Sequence, residues 1–261
     1  MIRRTELRLR QGAAAGVAML LLTVCVGIVS AVDDQPQREA PLALLQAWAQ
    51  GGNERAAGLA YVELSAARRP PHWRFLRIVA KREKVDLIGV ASHATTAADC
   101  RLERRRLTEN RKAVAGILAA SVRALALPQD ASALERPGGQ RRALVFTDEC
   151  DERNRTFAEP LSAALRALFG QLGTLTDRVF REGALGTDDL AAGKPIGSAT
   201  MRRNGLLVFD LVAESSSGGH GLVEFVYPET DKDYARMLVH IGGICPGDQG
   251  RIVPSWPDCD R

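Results

Sequence analysis

Aromatic residues are scarce in this chain, 5% of 261 positions, so its core has to rest on Leu, Val, Ile and Ala. Histidine, with four copies, is scarcer still. No H-E-x-x-H, G-x-S-x-G or Walker-type phosphate loop occurs, which removes the usual signatures of zinc hydrolases, serine hydrolases and nucleotide enzymes. His93, Cys100 and Cys150 lack the close ligand spacing of a zinc site, so no metal and no cofactor is expected. Charge is absent altogether from residues 11–32, which read QGAAAGVAMLLLTVCVGIVSAV. That run also lacks the intramembrane acid that ion-driven machines carry.

What that run does have is length. At about 1.5 Å per residue a helix of this size crosses a hydrocarbon core of roughly 30 Å. Arg3, Arg4, Arg8 and Arg10 precede it and Asp33 and Asp34 follow. The positive-inside rule then puts residues 1–11 in the cytoplasm and the bulk of the chain across the membrane. Residues 12–32 read as a transmembrane helix, with a cleaved signal peptide as the alternative, since Val29-Ser30-Ala31 suits a cleavage site. Either way the rest is exported, and the expected location is the bacterial inner membrane with a periplasmic carboxyl-terminal part.

The net charge of +4 conceals an asymmetry. Residues 68–123 hold 14 Lys/Arg against 5 Asp/Glu, so the remainder is acidic. In an exported compartment nucleic acid is excluded as a partner, which leaves acidic lipids or wall polymers, or simply a solvated helix surface. Of five cysteines, Cys25 lies in the apolar run; Cys100, Cys150, Cys245 and Cys259 are exported and even in number. An oxidising compartment favours disulfides among them, and four cysteines allow three pairings. Cys245–Cys259 with Cys100–Cys150 is the expected set, because the first closes the Pro- and Gly-rich tail CPGDQGRIVPSWPDC. Cys100 beside His93 is the one candidate nucleophile–base pair, and an oxidising environment argues against it.

Residues 33–70 read as a tether with two helices, over 41–50 and 54–67. Residues 71–172 read as an alternating unit: a helix over 72–83, a buried strand over 85–90, and a helix opened at Thr96–Asp99 by a capping box and stopped at Pro128. A strand over 142–147 and a helix from Pro160 to Gly173 complete it. Residues 173–261 then supply short helical turns, a hairpin with strands over 205–213 and 222–227, a helix over 231–240 and the tail. The fold class expected is α/β or α+β.

Within that unit, VDLIGVASHATTAADCRLERRRLTENRKAVAGIL resembles the core of an OmpA-like peptidoglycan-binding domain. Leu107-Thr108-Glu109-Asn110-Arg111-Lys112 matches the family's Leu-Ser-x-x-Arg-Ala element, and residues 89–93 match its strand exit. The resemblance implies that Arg111, with the loop around Thr96 and His93, contacts a charged wall peptide; guanidinium offers a carboxylate a fork of donors. The family's loop Asp is replaced near Thr95 or Thr96, and Arg104 stands where it has Asn. A salt bridge within the protein is the other role open to Arg111. The expected function is non-catalytic: an envelope protein associating with peptidoglycan or with other envelope proteins. The alternatives are an accessory subunit of a membrane complex, with a protein interface and no wall binding, and a periplasmic ligand sensor.

Overall fold

The central strands of this chain carry apolar side chains on both faces, because their sheet lies between two layers. The computed structural model describes residues 42–50, 58–65, 72–81, 83–93, 99–129, 140–147, 152–186, 194–214 and 220–256. The expected span 12–32, Thr96, Cys150 and Cys259 lie outside them. In β1 (Gly58–Ser65), Leu59 and Tyr61 point to one side and Ala60, Val62 and Leu64 to the other. β2 (His72–Ala80) sends Leu76 and Ile78 one way and Trp73 and Phe75 the other. β3 (Lys84–His93) does the same with Val85 and Leu87 against Val90.

Burial on both faces erases the period-two alternation by which a half-buried strand is recognised. Within 54–67 and 72–83, expected as helices, residues 58–65 and 72–80 are instead the strands β1 and β2. β4 (Arg101–Asn110) corrects a third expectation, the helix opened at Thr96–Asp99. Its Arg- and Glu-rich residues favour helix locally, but ten paired positions along β3 override that preference. The helix starts fourteen residues later: Asn110 caps α2 (Arg111–Leu125) by accepting a hydrogen bond from the Lys112 amide at 2.9 Å.

β5 (Gln140–Thr147) falls where a strand was expected, whereas β6 (Glu152–Ala158) comes from a charged stretch read as loop. α3 (Ala163–Glu182) is capped by Ser162 and runs well past Gly173, through the point where the sequence reading divides the chain. With β7 (Ala184–Leu185), these strands form a seven-stranded sheet in the order β6-β5-β1-β2-β3-β4-β7, every pairing antiparallel.

A second, four-stranded antiparallel sheet follows, in the order β10-β9-β8-β11. It is built from β8 (Pro195–Met201), β9 (Leu207–Glu214), β10 (His220–Tyr227) and β11 (Arg251–Pro254), with α4 (Tyr234–His240) between the last two. The β9–β10 hairpin is the one expected. The fold is mixed α+β in three layers. α1 (Leu42–Gln50), α2 and α3 cover one face of the large sheet; the small sheet and α4 cover the other.

The second covering is tied down by contacts distant in sequence. Cys100, just before β4, is disulfide-bonded to Cys245, 145 residues away. This corrects both expected pairings, since each used one of these two cysteines. The tail is held through the sheet system rather than closed on itself: β11 pairs with β8. Beside the disulfide, Trp73 Nε1 donates to the Ile244 carbonyl at 3.1 Å and Arg104 Nη2 to the Gly242 carbonyl at 3.0 Å. Gly243 (φ +85°) passes so close to Trp73 that a Cβ there would lie 2.2 Å from the ring, so only glycine fits.

Candidate functional site

At the end of β4 the chain turns directly into α2, and its first helical residue, Arg111, is placed under the end of α1. The side chain is 8% exposed. Its Nη2 donates to the Trp48 carbonyl and its Nη1 to the Lys81 carbonyl at 3.2 Å, while its amide donates to the Glu83 carbonyl at 2.9 Å. Trp48 lies in the last turn of α1, where carbonyls have no helical partner, so a cation there satisfies an orphan acceptor and complements the helix dipole. The guanidinium also lies over the Trp48 ring, 5.9 Å from its centre. Burial pushes its pKa down from the usual arginine value. No carboxylate pairs with it among the described residues, so the salt bridge considered from sequence is replaced by backbone carbonyls.

His93 lies at the opposite end of the β3–β4 pair from Arg111. β3 pairs Lys84 with Asn110 at one end and His93 with Arg101 at the other. Nine residues at about 3.3 Å each separate the two sites by roughly 30 Å. The His93 side chain is 61% exposed, with its Nε2 2.9 Å from a Glu103 carboxylate oxygen. The structure therefore does not bring Arg111 and His93 together, and Thr96 lies outside the described residues. Cys100 is in a disulfide and is no free thiol, so the Cys100–His93 pair has no nucleophile. Among the described residues no three His, Cys, Asp or Glu side chains are placed to hold a metal ion, and no helix is long and apolar enough to cross a membrane.

What Arg111 does line is an open groove of about 950 Å³ between α1 and α2. Ala115, Ala119, Val122 and Ala126 form one wall and Ala49 the other. They recur every three or four residues, and their small size leaves the depression. Lys112 and Arg123, both exposed and with no ion pair among the described residues, mark its α2 rim. Gln46 and Gln50 line the α1 side and Glu83 one end. Sequence reading fixed on Arg111 and passed over this alanine stripe; its spacing, bounded by Lys112 and Arg123, was the available signal.

A charge cluster around the buried Asp86 carboxylate ties β3 to β4 at this end of the sheet. Asp86 accepts from Arg106 Nη2 at 2.6 Å and Thr108 Oγ1 at 2.9 Å, and pairs with Lys81 Nζ at 2.6 Å. Burial alone would raise its pKa, but hydrogen bonds from Lys81, Arg106 and Thr108 outweigh that and hold it at about 2. Lys81 thus grips Asp86 by its side chain and Arg111 by its carbonyl, joining the sheet to both helices.

No protein-family model matches this chain, and no curated protein or solved structure matches it either.

Proposed function

We propose that this chain is a non-catalytic accessory protein of the bacterial cell envelope, held at the inner membrane by residues 12–32, that receives a protein partner in the groove between α1 and α2. The groove's composition carries the reading. Small apolar side chains allow a helix to approach closely, and the cations of Lys112 and Arg123 flank them with no ion pair among the described residues. Eleven residues of helix separate the two, about 16 Å. An amphipathic helix with an apolar stripe and carboxylates about three turns apart matches that spacing and charge. Export rests on the uncharged run and its arginine-rich flank, and the Cys100–Cys245 disulfide suits an oxidising compartment.

Peptidoglycan binding is the second reading. One observation favours it: Arg111, the residue marked by the OmpA-like motif, lines this same groove. Its guanidinium is held by two carbonyls, however, and His93 is at the far end of β3. Cosedimentation of the full chain with purified sacculi separates the two readings. The accessory-protein reading expects the chain to stay in the supernatant. Retention that Arg111→Ala abolishes, with the fold intact by circular dichroism, would replace it with wall binding.

A further inference from the structure

The small sheet presents a second surface of opposite character, on the far side of the molecule from the groove. Three of the large apolar side chains exposed among the described residues share its outer face: Leu222 (76%), Ile252 (52%) and Val212 (47%). Leu222 lies directly across from Val212. One step along the same face, Glu224 lies directly across from Asp210, both half-buried and neither in an ion pair among the described residues. Like charges at directly opposed positions destabilise a strand pair, so this doublet opposes the hairpin that carries it. Next comes Val226 across from Val208, so the face reads apolar, acidic, apolar along the hairpin.

The strand that bears this pattern is also the least protected edge in the described structure. At the outer edge of the large sheet, β6 is blocked by Gln129, whose side-chain amide donates to the Thr156 carbonyl at 2.9 Å and accepts from its amide at 3.0 Å. β7, at the other edge, has two residues. β11 has four and ends in Pro254. β10 is eight residues long, terminal in its sheet, and holds neither proline nor lysine. Proline, lysine, shortness or a covering group is how edge strands normally avoid pairing with another chain.

We propose that the edge of β10, which pairs with no further strand among the described residues, is a docking site for an extended partner segment of apolar–x–basic–x–apolar pattern, added as a fifth strand. Backbone hydrogen bonds to β10 supply the attachment, and alternate side chains supply recognition. The basic residue falls beside Glu224 and Asp210, neutralising the doublet, while the flanking apolar residues fall beside Leu222 and Val226. A partner of the opposite charge would add a third carboxylate to the face. Together with the groove, which favours acidic partners, this edge makes the chain a two-sided adaptor; the inference stands on the small sheet alone and does not require the groove.

Two synthetic peptides test it against the full-length protein in detergent: Ser-Val-Thr-Lys-Thr-Val-Ser and the same peptide with Glu in place of Lys. Titration followed by amide hydrogen exchange should show the Lys peptide binding at least about tenfold tighter and protecting β10 amides. Charge reversal with Asp210→Lys and Glu224→Lys should invert the preference, and Asp210→Asn with Glu224→Gln should abolish it while leaving the circular dichroism unchanged. The proposal is overturned if neither peptide binds, if protection falls outside β10, or if the preference survives the reversal. It is equally overturned if the chain self-associates and Leu222→Asp disperses it, for then the edge meets a second copy of the chain.

Discussion

The two faces of the seven-stranded sheet are closed in different ways. On the helix side, α1, α2 and α3 bury Leu45, Trp48, Leu118, Leu125, Phe169, Leu172 and Val179 against Leu59, Tyr61, Leu76, Ile78, Leu87 and Phe146, a large core of aliphatic and aromatic side chains. On the other side the covering comes from residues 195–254, and directional ties hold it: the Cys100–Cys245 disulfide, Trp73 to the Ile244 carbonyl, Arg104 to the Gly242 carbonyl and Arg141 to the Glu229 carbonyl. Burial of amphipathic helices closes the first face, with the Arg111 bonds to the Trp48 and Lys81 carbonyls and the Arg178–Glu109 ion pair as its local ties. A small sheet returning from far along the chain has to close a long loop first, and cross-links reduce the entropy lost in doing so.

Removing the disulfide should have the largest effect. For a loop of 145 residues the chain-entropy model gives about 4 to 5 kcal/mol, so Cys245→Ser should lower the thermal midpoint by well over ten degrees. Hydrogen exchange should rise over β8–β11 and α4 before it rises over α2 and α3. Equal loosening of both faces would mean that the ties do not distinguish them.

The contrast also explains what was legible in the sequence. α1 was readable from its apolar spacing and its stop at Gly51; β3, β5 and the β9–β10 hairpin were readable as short Val-, Leu- and Phe-rich runs. β1 and β2, buried on both faces as β3 and β5 are, were misread because alanine and charged residues break up their apolar runs into helical spacing, and β4 because pairing outweighs the helical preference of its arginines and glutamates. The Cys100 pairing was beyond reach: nothing local marks Cys245 as its partner, since the contact depends on α4 crossing the sheet. At the site, Arg111 was singled out through the OmpA-like motif, as a ligand contact or one half of a salt bridge; its acceptors in the structure are carbonyls, which carry no sequence signature.

On the helix side the largest single loss should come from Arg111→Ala, which leaves the Trp48 and Lys81 carbonyls without their donor and opens a void beneath α1; about 3 kcal/mol is expected in denaturant unfolding. Arg111→Met should cost less, because its stem keeps the packing over Trp48 and brings no charge to desolvate. If the two variants are equally destabilised, packing contributes nothing and the carbonyl contacts account for the whole effect.

A smaller effect is expected on acidification. The Asp86 carboxyl is held at about 2, below the roughly 3.9 of an unfolded chain, so its contribution is complete above about pH 5 and is lost as pH falls toward 2. That difference corresponds to about 2 kcal/mol. Asp86→Asn should flatten the stability curve between pH 5 and 2 by this amount, and a curve parallel to that of the wild type would remove Asp86 from the account.

Charge reversal at the groove rim should scarcely alter stability, since Lys112 and Arg123 are exposed and without ion pairs among the described residues. Its effect should appear in association alone, which makes the rim the most direct place to test the function. A photo-crosslinking residue in place of Ala119, in the full chain within its native membranes, should give one discrete protein adduct, lost when Lys112→Glu and Arg123→Glu are added and restored by compensating Lys substitutions in the captured partner. No adduct, or one indifferent to both reversals, would contradict a partner seated between α1 and α2.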